Sequence, residues 1–486
     1  MNVLLSLLQK STDYNQLLKA VEAKQAVAVS GLSQAPRSHV LAAAHEQSGR
    51  PLVAVCQDDM AAKRLASELG AFLGEEPPVL PSRELTLAGA IGVSRQWEQQ
   101  RLRLLYALAQ GRVPVLVASL DALLLRTLPR QTLFSASVTL RVGAEYSMPE
   151  LIERLTRAGY SRASLVEGVG QFALRGGILD VYSPAQEKPL RAEFFGDELD
   201  TMGYFDPITQ RRTENVDEAV LLPVAETEPH LHPQGISGLC EDLRAIIARQ
   251  QRRKTPNQAL IETLQKDCEA LENETLFASA DRYMALIYPE FTTAASYLPQ
   301  EAIVAFCDHG NLQRGEKDRA EEFGLLLDSF LTSGTLFGEL CDYYATMDDL
   351  AASLRGRAVI YCDSFLAARY PESLPPKQLL SFTARQLPGY GGSLETAAAD
   401  LKNYASNQYG SIVLCGGQRR GEILKELLAK SGLNALLSFP LTKLPQPGQI
   451  LIAGGSLPAG LEYPTLKFAI LTEGQIAVRQ ERKRVR

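Results

Sequence analysis

Ala26-Val27-Ala28-Val29, then Ser30-Gly31-Leu32-Ser33-Gln34-Ala35-Pro36-Arg37-Ser38, then Val40-Leu41-Ala42-Ala43-Ala44, is the stretch that decides the fold. The four apolar residues read as a short buried strand, and the run after the loop reads as a helix. A strand, a turn and a helix at this spacing are the setting of the phosphate-binding pattern G-x-x-x-x-G-K-[ST]. Gly31 and Ser38 fit it, but Pro36 stands in place of the second glycine and Arg37 in place of the lysine. Both departures injure one function. Such a loop holds phosphate with backbone N–H groups and one compact ammonium; Pro36 has no N–H to give, and a guanidinium fork is a poor substitute at so confined a site. The expectation is the frame of a nucleotide-binding fold without its grip on nucleotide, hence no cofactor and no catalytic residue.

Outward from this loop the chain alternates strand and helix. Residues 51–56 and 115–119 are apolar runs, and 59–74 and 96–110 have helical spacing, which together predict a mostly parallel sheet covered by helices. On the second of these helices Trp97 is expected to pack on the sheet with Leu104 and Leu108. From residue 137 the texture changes to short strands at 172–175, 178–182 and 190–195, punctuated by Gly176-Gly177, Pro184, Pro189 and Gly196. This turn chemistry predicts an α+β module inserted into the first domain. Further on, 236–273 reads as helical and 302–306 as a buried strand, and a second α/β unit begins near residue 357. The expected organisation is a first-domain segment at 1–127, the inserted module at 128–215, the remainder of the first domain at 216–345, a second α/β domain at 346–472 and a basic linker at 473–486. That basic end suggests a chain cut from something longer.

Composition narrows the class. Of 486 residues, 45% are hydrophobic and 22% charged, the balance of a globular protein with ample core. A net charge of -6 gives no global nucleic-acid signature. The seven cysteines are scattered and never in C-x-x-C spacing, which argues against a disulfide framework or a zinc site and for a reducing cytoplasm. No apolar run reaches the ~18 residues of a membrane span.

The sharpest motifs lie in the module: Gly159-Tyr160-Ser161-Arg162, residues 172–182, residues 191–200, and Phe205-Asp206-Pro207-Ile208-Thr209. In this order and spacing they resemble the domain through which the excision-repair protein UvrB binds UvrA. Pro81-Ser82-Arg83-Glu84-Leu85, residues 92–102, Leu120-Asp121-Ala122-Leu123-Leu124 and residues 454–464 resemble instead the Mfd family of bacterial transcription-repair coupling factors, which carry a similar module. UvrB has an intact phosphate loop and a tyrosine-rich hairpin, whereas residues 75–95 here contain no aromatic side chain able to stack on bases. Where a helicase would place Asp-Glu, this chain reads Cys307-Asp308-His309, and a thiol is a poor ligand for a hard cation.

The resemblance implies the N-terminal region of a coupling factor: a RecA-like sheet with a degenerate nucleotide site (Gly31, Pro36, Arg37, Ser38), the inserted UvrA-binding module, and a second α/β domain. It implies UvrA as partner, with RNA polymerase and double-stranded DNA as partners of the whole protein, an ATP-dependent translocase. This region would not itself be an enzyme, and would recruit UvrA to stalled polymerase for nucleotide excision repair. For the UvrA surface the candidates are Arg162, Arg175, Arg191, Glu193, Phe194 and Phe195. Arg191, Glu193 and Phe195 are two apart on a strand and share a face, and Phe194 takes the other. Two rival readings stand: an active UvrB-like helicase or nucleotide hydrolase, and a DNA-binding module.

Overall fold

The computed structural model describes residues 3–88, 96–273, 277–367, 369–390 and 393–476. Residues 92–95 of one motif and most of the basic end expected at 473–486 lie outside the described residues. Seven parallel strands form the first sheet, in the order Gln378–Ser381, Ala26–Ser30, Ala358–Cys362, Ile303–Cys307, Leu52–Cys56, Val115–Ser119, Val79–Leu80. The five inner strands are buried at every residue. Helices cover both faces of such a sheet, so its strands read as unbroken apolar runs rather than alternating ones.

The helix Gln34–Ser48 follows the first strand, and residues 35–44 are all buried. It is enclosed because a second sheet closes over it. That sheet has six strands, in the order Arg385–Gln386, Leu461–Tyr463, Phe468–Thr472, Gly410–Cys415, Ile450–Gly454, Ala435–Ser438. One apolar core joins Val29, Val40 and Leu41 to Ile412, Leu461 and Ile470. Inside it, His39 Nδ1 lies 2.9 Å from the Tyr463 hydroxyl. A helix surrounded by protein has no polar stripe to display, which is why 40–44 is apolar throughout.

The boundary expected at residue 346 is corrected here. Ala358–Cys362 and Gln378–Ser381 flank Ala26–Ser30 in the first sheet, and the second sheet starts at Arg385. Apolar strands look alike in sequence, and which sheet they join is decided by pairing across hundreds of residues.

The module is a six-stranded sheet in the order Arg212–Asn215, Glu198–Phe205, Leu190–Phe195, Ile178–Val181, Gln171–Arg175, Ser161–Arg162. Its inner face packs Leu179, Leu190, Ala192 and Met202 on Leu151 and Leu155 of the helix Met148–Arg157. Val138–Arg141 pairs antiparallel with Glu218–Leu221, so the ends of the module are zipped together beyond residue 215. Just after that zipper, the fully buried Glu226 accepts from Arg101 Nε at 2.9 and 3.0 Å, and Arg101 also donates to the carbonyls of Pro81 and Ala122. Arg83 of the Pro81–Leu85 motif reaches Asp281 at 2.8 Å. These motifs are therefore a buried polar lock between the module's exit and the first sheet.

Candidate functional site

The degenerate loop is not a phosphate nest. The helix already begins at Gln34, and Arg37 N donates to Ser33 O at 2.9 Å as an ordinary helical bond. Pro36 thus occupies the first turn, where a missing N–H costs nothing. Arg37 turns inward and pairs with Asp308, Nη1 to Oδ2 at 2.7 Å. Burial opposes its charge, but Cys307 and Asp308 more than reverse that and hold its pKa above the ordinary value. Asp308 sits at φ 57°, ψ 59°, a left-handed conformation that Asp tolerates better than most residues. Ser38 donates to the Glu68 carboxylate at 2.5 Å. The residues that would serve phosphate and metal therefore serve one another.

The mouth of the loop is covered as well. Phe382 N donates to Ser30 O at 2.9 Å, and its carbonyl lies 2.0 Å from where a Cβ on Gly31 would be. Gln386 Oε1 accepts from Ala35 N at 3.3 Å, taking one of the free N–H groups of the helix's first turn. What remains is a pocket of about 60 Å³ lined by Gln34, Arg37, Glu68 and Asp308 among others, far below the ~300 Å³ of a small-molecule site. Sequence reasoning missed Phe382 and Gln386, since no local signal sends residues some 350 positions away onto this loop.

The module's outer face gathers most of the predicted partner residues. Arg175, Ile178 and Glu193 stand in one cross-strand row, and Asp180 faces Arg191 in the next. Arg162 lies exposed on the edge strand Ser161–Arg162. Phe195 is 85% exposed, whereas Phe194 points to the core and meets Tyr146 edge-on at 6.3 Å. Phe194 alternates with its neighbours across the strand, so it packs, partly buried, on the module core and lies on the opposite face from Glu193.

Arg191 is also more internal than expected. Its guanidinium grips the buried Asp180 through Nε at 2.7 Å and Nη2 at 2.9 Å, lies over the Phe205 ring at 4.5 Å, and donates to Gln210 O. Arg175 reaches the same carboxylate at 2.5 Å with its side chain 48% exposed. Asp180, missed in the sequence, is the hub that aims both arginines; a carboxylate inside the apolar run 178–182 was the available signal. Ile208, 90% exposed on the turn that Asp206 caps, was missed as an apolar knob beside this face.

A strand-rich insert with such a face, carried on a parallel α/β sheet, defines the class: residues 138–226 match the family model described as the UvrB interaction domain. Along its whole length the chain is similar to transcription-repair-coupling factors. It is 23% identical over 99% of its length to that of Bacillus subtilis (strain 168) and 25% identical over 99% to that of Staphylococcus aureus (strain USA300). The resemblance to the coupling-factor N-terminal region expected from the sequence is thus shown, and the chain spans about 40% of the length of these relatives. Among the described residues no helix is long and apolar enough to cross a membrane.

Proposed function

We propose that this chain is a docking platform that recruits UvrA to RNA polymerase stalled at a lesion, so starting nucleotide excision repair in the cytoplasm, and that it turns over no nucleotide itself. The observation that carries the reading is the UvrB interaction domain match at 138–226, whose outer face presents Arg175, Glu193 and Phe195, with Arg162 exposed on the edge strand. A half-exposed arginine, Arg175, held by a buried carboxylate beside an exposed aromatic ring is the making of an interface hot spot. In this reading Arg191 is a positioning residue behind Arg175, and polymerase and double-stranded DNA are engaged by the whole protein. The Arg37–Asp308 pair weighs against the hydrolase reading. The test is calorimetry with purified UvrA: saturable binding, weakened in Phe195→Ala and Arg175→Ala, is expected. A chain that fails to bind UvrA at all overturns the proposal.

A further inference from the structure

We propose a zinc site, outside both regions above, formed by Cys240, Cys268 and Glu272 on the hairpin of the helices Gly235–Gln251 and Gln258–Glu272. The spacing of cysteines along the chain argues against such a site, but the hairpin folds residues 28 apart onto each other. One sulfur from each cysteine and a carboxylate oxygen of Glu272 all lie within 4.8 Å of one another. Tetrahedral zinc, with sulfur at ~2.3 Å and oxygen at ~2.1 Å, sets its ligand atoms roughly 3.5 Å apart, so closing the site takes ~1 Å of movement. Glu272 can supply it, because its side chain is 44% exposed.

The local fold favours these donors. Cys268 and Glu272 are four apart and share a helix face, and they stand in the last turns, where the helix dipole favours a cation. Cys240 and Cys268 are buried at 0% and 5% exposure among apolar neighbours, which fixes both sulfurs, while Glu272 leaves the fourth position facing solvent. Two thiolates and a carboxylate carry three negative charges, one more than zinc neutralises. Arg244, one turn beyond Cys240 and bonded to Glu272, balances that excess. Thiolate donors select zinc over magnesium or calcium.

The test titrates the reduced 486-residue chain with Co²⁺ and then Zn²⁺. Expected are the visible bands of tetrahedral cobalt with a thiolate charge-transfer band, saturating at one equivalent and bleached by zinc. Cys240→Ser and Cys268→Ser should each remove the tetrahedral spectrum, and a Cys56→Ser, Cys307→Ser double variant should keep it. Glu272→Gln, a change at an exposed helix end that leaves the fold intact, should weaken zinc about 10-fold or more. Absence of thiolate bands in the parent chain, their persistence without Cys240 and Cys268, or unchanged affinity in Glu272→Gln overturns the site.

Discussion

Arg37 and Asp308 lie 2.7 Å apart and tie the first turn of the helix after the first strand to the residue that opens the helix His309–Thr332. In a working nucleotide site these two positions would face the ligand from opposite sides. Here the gap has closed to a single ion pair, with the arginine side chain 7% exposed.

Asp308→Asn should destabilise the chain by about 1–3 kcal/mol in urea titrations. Removing one partner of a buried pair costs ~3–5 kcal/mol, and this figure is reduced because Asp308 is about a third exposed. A change below ~0.5 kcal/mol would show that the pair does not hold the cleft shut.

The combined change Pro36→Gly with Arg37→Lys should give neither ATP binding nor turnover. Restoring the motif does not remove the Phe382 carbonyl from the loop mouth or Gln386 from the helix start. Magnesium-dependent ATP hydrolysis by this variant would contradict the steric argument.

Arg191→Ala and Arg175→Ala should separate stability from binding. The first leaves the buried Asp180 short of its main partner and should cost about 2–3 kcal/mol of folding stability. The second should cost under ~1 kcal/mol, being half exposed. Phe195→Ala should leave stability unchanged and weaken UvrA about 30-fold, the equivalent of ~2 kcal/mol at a hot spot. Equal melting temperatures for the two arginine variants would refute the division of roles.

Acid stability offers a test of the buried histidine. Burial holds His39 neutral, lowering its pKa from 6.5 to about 4. The unfolded chain therefore binds more protons in that window, and stability is lost as pH falls through it. Asp363 has the opposite sign: burial raises its pKa from 3.8 to about 6, so the folded chain takes up the proton first and gains stability on acidification. His39→Gln should flatten the acid limb by about 3 kcal/mol, and Asp363→Asn should steepen it similarly. Difference curves from urea titrations between pH ~7 and ~4 cancel the other groups; parallel curves would exclude both assignments.

Much of this architecture was legible locally. The strands at 26–30, 52–56, 115–119 and 303–307 announced themselves as unbroken apolar runs, and the alternation of Arg191, Glu193 and Phe195 against Phe194 followed from the period of a strand. What escaped depends on distant pairing: the sheet joined by 358–362 and 378–381, the cover from Phe382 and Gln386, and the meeting of Cys240 with Cys268. Trp97 misled for a related reason. It is 53% exposed with Lys63 over its ring at 5.0 Å, and of the expected trio only Leu104 and Leu108 face inward, since helical spacing finds a face but not its edge.

Gly31 has changed employer. Its φ of 79° and the Phe382 carbonyl against it would demand glycine in a protein that never meets a nucleotide. A side chain placed there to mimic phosphate would unseat the Gln378–Ser381 edge strand before it reported on any ligand. The residue that most resembles a relic of ATP binding is thus a present-day joint between the ends of two neighbouring strands of the first sheet.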